Sequence, residues 1–162
     1  MDTQIILGIS FSTRVLGLAV FKSNSLVDYS LSLRKGKWTR EKRDLIVASL
    51  SSCVSTHYVT EIALSIPEEY HQTTEFKELL SAIITFAVMN NIPYTAYPIA
   101  DVYRSFGSHI RRTREGLMKR LVLLIPELAT YHEREQENRN KYYVKLFEAV
   151  GTASHHWKEN SK

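Results

Sequence analysis

The amino-acid sequence predicts an α/β fold, with a five-stranded mixed sheet whose first three strands run antiparallel and with helices flanking it. Three observations carry that prediction. The first is a series of three apolar, β-rich segments at residues 4–11, 15–21 and 26–33, joined by connections of only a few residues. Such connections are far too short for a parallel crossover, so the three strands pair as hairpins. The second is a helical pattern from Thr39 to about His57 followed by a strand pattern at residues 61–66, which brings the chain back to the sheet in parallel. The third is the recurrence of apolar residues three and four apart in the later segments, the period of helices that bury one face.

Each element has its own local reason. Residues 4–11 are uncharged and largely apolar with Gly8 inside the run, which predicts a strand buried on both faces that ends in the polar residues 10–13. Residues 26–33 alternate apolar and polar side chains after Asn24 and Ser25, as a half-exposed hairpin partner does. Thr39 can cap a helix with Glu41 and Asp44 in its early turns, where negative charge suits the dipole, and with Leu45, Ile46, Leu50, Cys53 and Val54 as its apolar stripe. Pro67 halts the strand at residues 61–66. Thr74 can cap the next helix, which places Phe76, Leu79, Leu80, Ile83, Ile84, Ala87 and Val88 at helical spacing before Asn90, Asn91 and Pro93 close it. Residues 94–97, β-rich and between two prolines, give the fifth strand.

The remainder reads as helical. A short helix at residues 99–106 is broken by Gly107 and Ser108, and Thr113 can cap another that turns Leu117, Leu121, Leu124 and Ile125 inward before Pro126. The charged segment 132–141 reads as solvated. Residues 142–155 form a last helix with Tyr143, Leu146, Phe147 and Val150 on one face. Residues 1–157 are thus expected to make one domain, followed by a frayed tail at 158–162.

Composition narrows the function classes. A chain of 162 residues that is 44% hydrophobic can bury a real core. Cys53 is its only cysteine, so it has no intramolecular disulfide and no cysteine partner for a zinc cluster, and a cytoplasmic location is expected. No apolar run approaches the length that spans a bilayer and no secretory leader pattern opens the chain, so no membrane association is expected. The formal charge is +4, and the basic residues fall in two clusters. One holds Arg34, Lys35, Lys37, Arg40, Lys42 and Arg43; the other holds Arg111, Arg112, Arg114, Lys119 and Arg120. Solvated loops and helix starts give such runs too, but together they suit a polyanion. The second cluster also stands at an expected helix start, where backbone amides add to the attraction for phosphate.

The stretch from Ile5 to Val20, with Gly8, Ile9, Ser10, Phe11, Ser12, Thr13 and Arg14 at its centre and Gly17 beyond, resembles the opening of the RuvC family of Holliday-junction nucleases. In that family the motif reads Gly-Ile-Asp-Pro-Gly-Ser/Thr-Arg. The element order is that of the RNase H-like fold to which the family belongs, and the resemblance extends in spacing to residues 62–66, 91–98 and 108–126. It implies Mg²⁺ chemistry, DNA as a partner and a homodimer.

The departures bear on that chemistry. The family ends its first strand in Asp and its fourth in Glu, and sets two further acids one helical turn apart near the start of the final helix. Here Ser10 and Ser65 stand at the first two positions, and Tyr142, Tyr143, Lys145 and Leu146 provide no acid pair, with only Glu148 nearby. Two Mg²⁺ ions about 4 Å apart repel by about 17 kcal/mol at an effective dielectric of 20, a repulsion that carboxylates normally offset and serines do not. The expectation is therefore no catalytic residues, no metal and no cofactor, with Ser10 and Ser65 as degenerate positions. Lys35, Lys37, Arg40, Arg43, Arg111, Arg112 and Arg114 are the expected nucleic-acid contacts.

Two other readings stand beside this one. A structural subunit would use the fold for dimerisation or partner binding, with the helix at residues 75–88 and Trp38, Tyr58 and Tyr70 on its surface. A nuclease with a relocated acidic site would draw on Glu68, Glu69, Asp101 or Glu148, although solvated loop acids explain these better and nothing in their spacing demands a site. His155 and His156 point in different directions on a helix and read as surface residues rather than a metal site. Ser10 as a nucleophile lacks an identifiable base.

Overall fold

The computed structural model describes residues 3–107, 114–138 and 141–162. The chain opens with β1 (Ile5–Phe11), β2 (Val15–Lys22) and β3 (Ser25–Leu33), which pair antiparallel in sequence. Helix α1 (Arg40–His57) then leads to β4 (Glu61–Ile66), parallel to β1, and α2 (Thr74–Met89) leads to β5 (Tyr94–Pro98), parallel to β4. The sheet order is β3-β2-β1-β4-β5, so β1 lies at the centre and is covered on both faces. Helices α3 (Ile99–Phe106), α4 (Arg114–Leu124), α5 (Ala129–Glu137) and α6 (Val144–Asn160) complete the chain. The mixed sheet and its antiparallel opening are as the sequence predicts. Among the described residues no helix is long and apolar enough to cross a membrane.

The alternation of β1 divides the interior in two. Leu7, Ile9 and Phe11 turn toward α1 and α2 and join Ile46, Leu50, Leu79 and Ile83. Ile6 turns the other way, with Ala19 and Ala63, toward α3, α4 and α6. Gly8 shares that second face, and there the period of two places a residue with almost no bulk under α6. A Cβ added to Gly8 would fall 2.3 Å from the carbonyl oxygen of Ala149, and one added to Gly17 would fall 2.3 Å from that of Lys145. These glycines serve close approach of helix to sheet.

Several local expectations need correction. Thr73, not Thr74, caps α2, its hydroxyl accepting from Phe76 N at 3.0 Å, while Thr39 caps α1 as expected. Leu45 and Leu124 are 55% and 53% exposed, because the inward stripes run through Ile46 and Leu50 on α1 and through Leu117, Met118 and Leu121 on α4. The segment expected to be solvated contains most of α5, and its Glu135 is buried, accepting from Tyr143 N at 2.7 Å. Helix α6 starts two residues later than expected and continues to Asn160. The expected Ser108 break, the Thr113 cap, Arg111 and Arg112 lie outside the described residues.

His155 and His156 are not surface residues: they are 8% and 3% exposed. Helix α6 packs on the sheet on one side and on α3 and α4 on the other, so it is buried on several faces along most of its length. The Tyr97 hydroxyl hydrogen-bonds with His156 Nδ1 at 2.7 Å, and His156 Nε2 faces Glu61 Oε2 at 3.6 Å. The edge of Tyr97 meets the His155 ring at 4.8 Å between centroids. Burial holds both imidazoles below their usual range, outweighing the opposite pull of Glu61 on His156 and of Glu159 on His155.

Two tests follow from this packing. Gly17→Ala should lower the unfolding free energy by roughly 2–3 kcal/mol in urea titration, because backbone rather than a flexible side chain must move. Both histidines have a lower pKa folded than unfolded, so the stability tied to their neutral forms is complete above about pH 6.5 and declines as the pH falls below it. The melting temperature should drop between pH 7 and pH 5, and His156→Gln, which keeps a hydrogen-bond partner for Tyr97, should flatten that slope. An unchanged slope would contradict the assignment.

Candidate functional site

Ser10 lies two residues beyond Gly8, on the same face of β1, and pairs across the hairpin with Gly17. On β4, Ser65 follows Ala63 on that face in the same way. The parallel ladder aligns Ile9 with Leu64, so the two serines stand side by side just beyond it, toward the carboxyl ends of the two central strands. Both are buried, at 1% and 3% exposure. In open α/β sheets this is where crevices form, and a cavity of about 380 Å³ opens here.

Helix α6 supplies two of the cavity's charged side chains. Its Lys145 and Glu148, three residues apart, share a helix face. Ser10 Oγ donates to Glu148 Oε1 at 3.0 Å, and Lys145 Nζ lies 3.1 Å from the same oxygen. Tyr103, from α3, donates its hydroxyl to Glu148 Oε2. Burial, reinforced by the Glu148 charge, pushes the Tyr103 phenol far above its usual range against the opposite pull of Arg114, so it remains a donor. The buried carboxylate therefore has three donors. Thr152 Oγ1 donates to the Glu148 carbonyl at 2.6 Å one turn along the helix. Ser65 Oγ, in contrast, is buried without a hydrogen-bond partner among the described residues.

Arg114, at the start of α4, is exposed and also lines the cavity, as do Glu68 and His71. Of the expected nucleic-acid contacts described here, Arg114 alone reaches this cavity. Lys35, Lys37 and Arg40 are exposed between β3 and the first turn of α1. Arg34 N donates to Arg14 O at 2.7 Å, which fastens that segment beside the β1–β2 turn at the same end of the sheet as Ser10. Arg43 lies 3.3 Å from Glu78 and 3.2 Å from Asp44, so its charge is already balanced.

The acids weighed as a relocated site do not converge. Glu68 and Glu69 are exposed, Asp101 binds Arg104 at 2.7 Å, and Glu148 alone is buried in the cavity. No group of three His, Cys, Asp or Glu side chains that could hold a metal occurs among the described residues. Sequence reading overlooked Lys145 and Tyr103. Lys145 sits one helical turn from Glu148, a signal visible in the sequence but obscured by a search for acids alone. Tyr103 left no such signal, since only the tertiary fold brings α3 to α6. The thiol of Cys53 lies far from this chemistry, half-buried on α1 and pushed up to about 11 by burial.

No protein-family model and no curated protein sequence matches the chain. Solved structures do. Thermus thermophilus RuvC, in complex with a Holliday junction substrate, superimposes with a TM-score of 0.75 over 98% of this chain and 96% of its own, at 16% sequence identity. A second Thermus thermophilus RuvC structure gives a TM-score of 0.72 over the same shares of the two chains, again at 16% identity. Identity this low speaks to architecture alone, and the architecture of this chain is that of RuvC, a five-stranded RNase H-like sheet flanked by helices.

Proposed function

We propose that this chain is a RuvC-like pseudonuclease: it binds branched or duplex DNA and does not cleave it with metal ions. The observation that carries the reading is the state of Glu148. Among the described residues it is the one acid buried in the cleft, and it is already engaged by Lys145, Ser10 and Tyr103. Paired Mg²⁺ ions need several carboxylates to offset their mutual repulsion, and Mg²⁺ gives up its waters reluctantly. One buried carboxylate, an exposed Glu68 and two serine hydroxyls do not fit that demand. A nucleophilic role for Ser10 fares no better, because the Glu148 oxygen that accepts its proton also faces the Lys145 ammonium.

Binding in this reading is mainly to phosphate. Arg114 at the cavity and Lys35, Lys37 and Arg40 along the same end of the sheet provide the positive charge, with Arg111 and Arg112 adjoining Arg114 in sequence. Arg43, paired with Glu78, contributes less. A cytoplasmic location and a homodimer belong to the same proposal.

A second reading, an interaction subunit that dimerises or holds a protein partner, is favoured by the surface of α1 and α2. A groove of about 620 Å³ there is lined by Val47, Phe86 and Met89, and Val88 and Met89 are 59% and 77% exposed. Tyr58 and Tyr70 are exposed as well, whereas Trp38 packs partly inward and donates to Glu78 at 3.3 Å. Light scattering over a concentration series, with Met89→Lys as the variant, separates a dimer on this groove from a monomer.

The decisive measurement for the first reading is affinity for four-way junction, duplex and single-stranded DNA across a salt series. Six phosphate contacts give a log–log slope of roughly −5, and Arg114→Ala or Lys37→Ala should each reduce it by about 1. Absence of binding at low salt would end the proposal. Incubation with Mg²⁺ or Mn²⁺ should yield no strand scission, and a product that vanishes in Glu148→Gln would establish the nuclease alternative.

A further inference from the structure

We propose that Lys145 is an internal counter-cation: its ammonium holds the place at Glu148 that a divalent ion would take in a nuclease of this fold. The inference deepens the pseudonuclease reading and rests on it for the comparison with a metal site, but its tests do not involve DNA. The geometry is specific. Lys145 and Glu148 sit three residues apart in the first turns of α6, the spacing at which the resemblance sets two acids. One position therefore keeps its carboxylate, and the other carries the opposite charge. The ammonium lies 3.1 Å from Glu148 Oε1, and the two side chains are only 24% and 5% exposed, so solvent screens the pair weakly.

The neighbours fit the same exchange. Ser10 Oγ donates to the oxygen that faces the ammonium, at 3.0 Å, and Tyr103 donates to the other oxygen. A hydroxyl is a donor toward a carboxylate, whereas an Asp at position 10 would be a second negative charge beside it. Ser10 and Lys145 are thus one chemical solution: a single buried acid, one internal cation and neutral donors. Ser65 completes the set. Its buried hydroxyl, without a partner among the described residues, adds no charge where a Glu would require another cation.

Lys145 then decides whether the cleft can take a metal, and carboxylates alone would not restore one. Mn²⁺ serves as the probe, followed by calorimetry and by the loss of its free-ion paramagnetic resonance signal. The native protein should show no binding. Ser10→Asp/Ser65→Glu/Lys145→Ser should bind Mn²⁺, and Ser10→Asp/Ser65→Glu with Lys145 retained should bind at least about tenfold more weakly, because the ammonium repels the ion. Equal affinity of the two variants, or Mn²⁺ bound by the native protein in this cleft, would overturn the proposal.

A thermal measurement guards against variants that fail to fold. Lys145→Met keeps length and removes charge, leaving Glu148 buried without its cation. Its melting temperature should fall by about 5 °C or more, and adding Glu148→Gln should recover most of the loss. No fall in Lys145→Met, or no recovery in the double variant, would mean that Lys145 is an ordinary surface lysine.

Discussion

The close seating of α6 on the sheet governs most of what this molecule does. Its carbonyls at Ala149 and Lys145 lie where a methyl group at Gly8 or Gly17 would have to go, so the helix comes down on strands that offer it almost no side chain. Ala19, Ala63, Ala149 and Ala153 continue that contact, all fully buried. Small residues here are a condition of the geometry, since core space is close-packed and admits no extra methyl without displacement. The same seating sets the reach of the helix's polar face. With α6 drawn in, Glu148 meets Ser10 directly, and Tyr103 arrives from α3 on the far side of the same carboxylate.

The fold and the chemistry of its cleft are separable. The glycines, the alternation of β1 and the parallel placement of β4 serve packing, and none of them depends on the charge at positions 10 or 65. A serine at the end of β1 satisfies the same backbone as an aspartate. Electrostatics, however, must be re-balanced whenever a buried acid loses its cation, because an unpaired buried carboxylate costs several kcal/mol. Lys145 and the hydroxyl donors meet that requirement within the protein.

How much of this is legible in the sequence follows from the range of each signal. The sheet, its antiparallel opening and the helices rest on periodicity and turn residues within a dozen positions, and the chain declares them openly. Thr39 and Thr73 illustrate the margin: both cap helices, but the pattern points to Thr74 for the second and the cap lies one residue earlier. The site is different in kind. Ser10 and Glu148 are 138 positions apart, and their meeting depends on the rotation of α6 about its axis. That rotation also explains the two histidines. Adjacent residues on a helix do point in different directions, but α6 is enclosed on several sides, so different directions still lead inward. Likewise Glu135 looked solvated because its neighbours are charged, and it is buried because Tyr143 N needs an acceptor there.

A cleft of this kind faces a polyanion differently from a nuclease's. Where several carboxylates line a floor, phosphate approaches only once metal ions have reversed the local charge, so binding and cutting share one requirement. Here Glu148 is balanced from within by Lys145, while Arg114 and an exposed Glu68 also line the cavity. In the proposed function, repulsion at the floor is removed without any ion, and the exposed Lys35, Lys37 and Arg40 at the same end of the sheet face phosphate. On the proposed reading, exchanging an acid for a lysine does more than abolish metal binding. It converts a surface that needed a cofactor to tolerate DNA into one that tolerates it unaided.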